Sequence, residues 1–84
     1  IPPLSAERRQ EFIKIAHQKG EECRIAIRQI RGDERSAWEK LKTDGEIGED
    51  ELFRREKMLQ DLLDKVTDQI SELVKVKESE LTQI

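Results

Sequence analysis

After Pro3 the chain contains no further proline in its 84 residues, and its only cluster of helix breakers is Thr43-Asp44-Gly45-Glu46-Ile47-Gly48-Glu49. Proline inside a helix removes a hydrogen bond and clashes with the preceding turn, so a long stretch without one can run as uninterrupted helix. The pattern predicts helices over residues 5–42 and 49–84, a loop at 43–48 and an extended hinge segment at 1–4 held by Pro2 and Pro3. Ser5 is a suitable N-cap for the first helix, and Glu49, Asp50 and Glu51 suit the positive end of the second. So short a loop makes the two helices fold back on each other as an antiparallel hairpin.

The helical periodicity supports this. Phe12, Ala16, Gly20, Cys23, Ile27, Ile30, Glu34, Ala37 and Leu41 recur at steps of three and four, as do Leu52, Leu59, Leu62, Val66, Ile70, Leu73, Lys77, Leu81 and Ile84 at steps of three, four and seven. Each helix thus carries one apolar stripe, and the two stripes are expected to form one seam. Ile13, Ile25, Trp38, Leu63 and Val74 widen the stripes beyond a strict seam, so the hairpin is expected to need a further cover, from a third helix or from a second copy in a homodimer. With 42% charged residues against 35% hydrophobic and 4% aromatic, the chain has the composition of a thin all-α rod and not of a sheet. Nothing in it resembles a membrane span, and the lone Cys23 suits a reducing compartment.

Nineteen acids outnumber sixteen Lys and Arg, for a net charge of -3, so any attraction to nucleic acid must be local. At 100° per residue, Arg24, Arg28, Arg31 and Arg35 fall within about 60° of one another on the first helix, with Lys42 continuing the line. This row is expected to form a solvent-facing basic ridge beside the buried face, and guanidinium forks in such a line match successive phosphates of an RNA backbone. The row reads equally as a solvated face paired at helical spacing with Asp33, Glu34 and Glu39, and position alone does not separate the two readings. On the second helix Asp61, Asp64, Asp68 and Glu72 form an acidic row, which keeps the rod soluble or, beside RNA, excludes one side from contact.

Few residues suggest chemistry. His17, the only histidine, has no partner at catalytic spacing. Cys23 falls on the expected seam, where it acts as a small apolar residue, and Trp38 is expected to pack against Leu41 and the second helix. No nucleophile and base pair, phosphate loop or metal-ligand spacing occurs, so no catalytic residue, metal or cofactor is expected.

Four stretches have a familiar order: Ile-Pro-Pro-Leu-Ser-Ala-Glu-Arg-Arg at 1–9, Arg-Ile-Ala-Ile-Arg-Gln-Ile-Arg at 24–31, Asp-Gly-Glu-Ile-Gly-Glu-Asp-Glu-Leu at 44–52 and Lys-Glu-Ser-Glu-Leu at 77–81. Across its whole length the chain resembles the C-terminal part of the ribosome recycling factors. The resemblance implies that the hairpin is the second and third helices of a three-helix-bundle domain, whose first helix and inserted small domain lie elsewhere in the family's chain. It further implies a non-enzymatic translation factor, cytoplasmic in bacteria or in an organelle of bacterial descent. Such a factor binds large-subunit ribosomal RNA, not DNA or membrane, and acts with elongation factor G to dismantle post-termination ribosomes. By position the family's arginine motif falls on Arg28 and Arg31, with Arg31 the leading phosphate contact; Arg24 and Arg35 join by the helical arithmetic above. Two residues depart from the family's pattern: Gly32 stands where a further arginine is usual, and Gln29 where asparagine is. Without the family, the same hairpin reads as a self-associating, non-catalytic interaction module.

Overall fold

The computed structural model describes residues 5–83, so the hinge expected at 1–4 and the seam position Ile84 lie outside the described residues. It contains two helices, α1 (Ala6–Thr43) and α2 (Glu49–Gln83). Ser5 opens α1 from an extended backbone, and its Oγ accepts from the Arg8 amide at 3.1 Å, satisfying one of the donors that a helix start leaves open. Thr43, expected in the loop, is the last helical residue. Its hydroxyl donates to the Glu39 carbonyl at 3.0 Å and so keeps it in the final turn.

The end of α1 is built on Gly45. With φ at +78° it takes the left-handed conformation that costs a side-chain-bearing residue about 1–2 kcal/mol. Its amide donates to the Lys42 carbonyl at 3.0 Å and that of Glu46 to Leu41 at 2.9 Å, the paired bonds of a Schellman ending. Three acids then open α2, as the helix dipole favours. Cross-helix pairs run from His17 with Glu78, through Arg24 with Ser71 and Arg31 with Gln60, to Lys42 with Glu49, so the helices are antiparallel.

The rod measures 64 × 16 × 14 Å, and its radius of gyration of 19.1 Å far exceeds the roughly 12 Å of a compact chain this long. Its core is accordingly thin: among the described residues only Gly20, Leu52 and Leu63 are buried. No described helix is long and apolar enough to cross a membrane.

The seam differs from the expected one. On α1 it runs through Ile13, Ala16, Gly20, Arg24, Ile27, Arg31, Trp38 and Leu41, and on α2 through Leu52, Leu59, Leu63, Val66, Ile70, Val74 and Leu81, all buried or half-buried. Of the positions assigned to it from sequence, Cys23, Ile30, Glu34, Ala37, Leu62, Leu73 and Lys77 are exposed. On a 100°-per-residue count α1 is turned by about 50° and α2 by about 30° relative to the centres of their apolar stripes. The closest approach explains where they settle: a Cβ built on Gly20 would stand 2.8 Å from Val74 Cγ2, so only glycine lets the backbones come this near. What the turn leaves uncovered is an apolar groove along one side of the rod. Cys23, Ile30 and Ala37 of α1 share it with Met58, Leu62, Leu73 and Val76 of α2.

Candidate nucleic-acid interface

The opposite long side of the hairpin is charged. Arg24, Arg28, Arg31 and Arg35 all lie there, on the flank of the seam away from the apolar groove, but they do not form one solvent-facing ridge. Because the helices are turned towards this side, Arg24 and Arg31 fall at the edge of the contact and are half-buried, whereas Arg28 and Arg35 are exposed. The expected offset between the row and the buried face is thereby halved or better, and the ridge becomes an alternation of anchored and outward arginines.

Each guanidinium has neighbours. Arg24, with 27% of its side chain exposed, donates through Nη2 to Ser71 Oγ at 3.3 Å and sits 3.6 Å from Glu21. Arg28 donates through Nη2 to the same carboxylate at 3.0 Å, so Glu21 serves two cations. Arg31 reaches Gln60 Oε1 at 3.5 Å, too long for a strong bond, while Gln60 donates to Asp64 at 2.8 Å. Arg35 Nε lies 3.7 Å from Glu56, again beyond hydrogen-bond range. Asp33, Glu34 and Glu39, the neighbours expected on sequence grounds, pair with none of the four among the described residues. Pairs this exposed are worth at most about 1 kcal/mol each, so a polyanion can displace them at little cost.

Glu56, Gln60 and Ser71 escaped sequence reasoning, because helical arithmetic on α1 says nothing of what α2 sets opposite; the register of the turn supplies it. Lys42 remains on the same flank, 3.9 Å from Glu49. Asp61, Asp64, Asp68 and Glu72 are exposed along α2, with Asp61 reaching the arginine side beside Arg31 and Arg35 and Asp64 accepting from Gln60. At the open end His17 Nε2 and Glu78 Oε2 approach to 3.2 Å and bridge the helices, a structural link. Cys23 is exposed in the apolar groove. Trp38, half-buried, lines the same side with Arg54, Arg55, Met58, Leu59 and Leu62. No group of three or more His, Cys, Asp or Glu among the described residues is arranged to hold a metal ion.

The hairpin thus carries a cation-flanked seam on one side and an uncovered apolar groove on the other. Comparison with known proteins gives this a family. The model for "Ribosome recycling factor" matches residues 1–82. The ribosome-recycling factor of Acidothermus cellulolyticus is 48% identical over all 84 residues, those of a Nocardioides species and of Streptomyces avermitilis 46%. The chain belongs to the ribosome recycling factor family. It spans 45% of the length of each of these three relatives. In this family member Gln29 and Gly32 are both exposed on α1. Gly32 has nothing within 4 Å of a built Cβ, so nothing in the hairpin requires glycine there.

Proposed function

We propose that residues 1–84 are the hairpin part of a helical-bundle domain of a ribosome recycling factor, and that the hairpin docks through its arginine side on the RNA of the large ribosomal subunit. Bacterial relatives point to the cytoplasm as the place of action, or to an organelle of bacterial descent. The whole factor then acts with elongation factor G to separate post-termination ribosomes, binding without bond chemistry of its own. The observation that carries the reading is the segregation of the two sides. The arginines and the apolar groove lie on opposite flanks of one seam, so a bundle helix can cover the groove while the cations stay open to phosphate.

Within the row the structure shifts the weight. Arg28 and Arg35 are the outward cations, whereas Arg24 and Arg31 reach RNA from the seam edge, where α2 limits their rotamers and reduces the entropy lost on contact. Co-sedimentation with isolated large subunits over a salt series tests this. The parent chain is expected to pellet at low salt and to weaken steeply as salt rises, with the Arg28→Ala, Arg31→Ala double variant losing about two units of the logarithmic salt slope at most. If parent and variant both stay in the supernatant at low salt, the docking reading fails.

A further inference from the structure

Among the described residues Phe53 is the most exposed large apolar side chain, at 68%, and it does not belong to the apolar groove. On a 100°-per-residue count it lies about 140–180° around α2 from Met58 and Leu62, so a helix laid in the groove would leave it bare. It stands instead on the arginine side, where Arg31, Arg35, Glu56, Lys57, Gln60 and Asp61 join it around an open depression of about 410 Å³. A single exposed aromatic needs no explanation by itself. An exposed aromatic edged by three cations on the side already read as an RNA face does.

The lining also discriminates between ligands. A phosphate alone would meet the carboxylates of Glu56 and Asp61 as well as the cations. A nucleobase would not be repelled: its flat face stacks on a phenyl ring, and its edge N–H groups can donate to carboxylates or to Gln60 Oε1. The flanking phosphates would then fall to the cations. Arg35 is 3.7 Å from Glu56 and Lys57 3.8 Å from Asp61, both beyond hydrogen-bond range, so these cations are loosely held and can turn outward.

From this geometry we infer that the depression around Phe53 is a subsite for one unpaired base of RNA, stacked on the Phe53 ring with its neighbouring phosphates held by Arg35 and Lys57. The inference rests on the RNA-docking reading and deepens it. The arginine row supplies attraction to any RNA backbone, and the Phe53 subsite supplies preference for RNA in which a base is unpaired.

The test uses two dye-labelled RNA hairpins of equal length, one fully paired and one carrying a single unpaired adenine, with affinities measured by fluorescence anisotropy. The parent chain is expected to prefer the bulged hairpin by roughly tenfold, the scale of one base stacked on an aromatic ring. Phe53→Ala is expected to abolish that preference while leaving affinity for the paired hairpin unchanged, and Phe53→Trp to keep it; circular dichroism checks that both variants remain helical. Retention of the preference in Phe53→Ala, or its absence in the parent, overturns the subsite while paired-hairpin binding and its salt slope still stand for docking. Failure of the parent to bind either RNA at low salt overturns both.

Discussion

Two glycines of α1 show how far a residue's role depends on what stands opposite it. Gly20 and Gly32 have the same chemistry and the same intrinsic cost, about 1 kcal/mol relative to Ala in a helix interior. At Gly32 a Cβ would meet nothing within 4 Å, so Gly32→Ala is expected to stabilise the hairpin by about 0.5–1 kcal/mol. At Gly20 it would stand 2.8 Å from Val74 Cγ2 and 3.8 Å from Ile70 Cγ2. Val74 is β-branched and stiff at χ1, so relief requires the helices to part, and overpacking of this kind costs about 1–3 kcal/mol. Gly20→Ala is therefore expected to lower stability despite its gain in propensity. Paired urea titrations check the contrast: midpoints that move upward together would mean that the helices yield freely at Gly20. Periodicity placed Gly20 correctly on the seam but gave no hint of the close approach, which depends on a partner 54 positions away in the chain.

At the scale of the element, the ends of the helices were the most legible feature and their facing the least. Ser5, Gly45 and the three acids at 49–51 mark the ends through local chemistry that a sequence displays directly. The seam was misplaced because each apolar stripe serves two surfaces, one facing the sister helix and one facing the open groove, and its centre falls between them. Reading the stripe as one seam put Cys23, Ile30, Leu62 and Leu73 in the core and left Arg24 and Arg31 out of it. The start of α2 holds the one strongly perturbed acid. Glu51 accepts from Arg54 through both carboxylate oxygens, at 2.6 and 2.9 Å, and from Arg55 Nε at 2.9 Å. The Arg54 bonds, then that of Arg55, hold its carboxyl at about 2 against an ordinary 4.5. Since the folded value is the lower one, the stabilisation is complete above about 4.5 and is lost as pH falls towards 2. Glu51→Gln is expected to melt below the parent at pH 7, with the gap in Tm closing over that acid window. A gap that persists unchanged at pH 2 in thermal melts would show that the ionised carboxylate contributes nothing.

The whole molecule is a rod with two incompatible flanks, and that asymmetry governs how the 84-residue chain behaves on its own. The arginine row was legible because four like residues at helical spacing need no partner to be seen. Phe53 was not, because an aromatic next to the seam residue Leu52 carries no sign of which flank it faces until the helix is turned into place. On the apolar flank Leu62 is 56% exposed, Leu73 62% and Met58 60%, an amount of large apolar side chain on one side that invites a cover. In the full-length relatives the remaining 55% of the chain has room to supply a covering helix. In its absence a second copy is the nearest apolar surface of matching length, and two hairpins laid groove to groove make a four-helix arrangement. The isolated chain is therefore expected to run as a dimer in sedimentation equilibrium at micromolar concentration. Leu62→Glu with Leu73→Glu should return it to a monomer of unchanged helicity, since both side chains are largely exposed on the apolar flank. Dimerisation that survives the double substitution would place the contact elsewhere, while a parent chain that stays monomeric and melts cooperatively would show that the two-helix seam, with only Gly20, Leu52 and Leu63 buried among the described residues, is sufficient by itself.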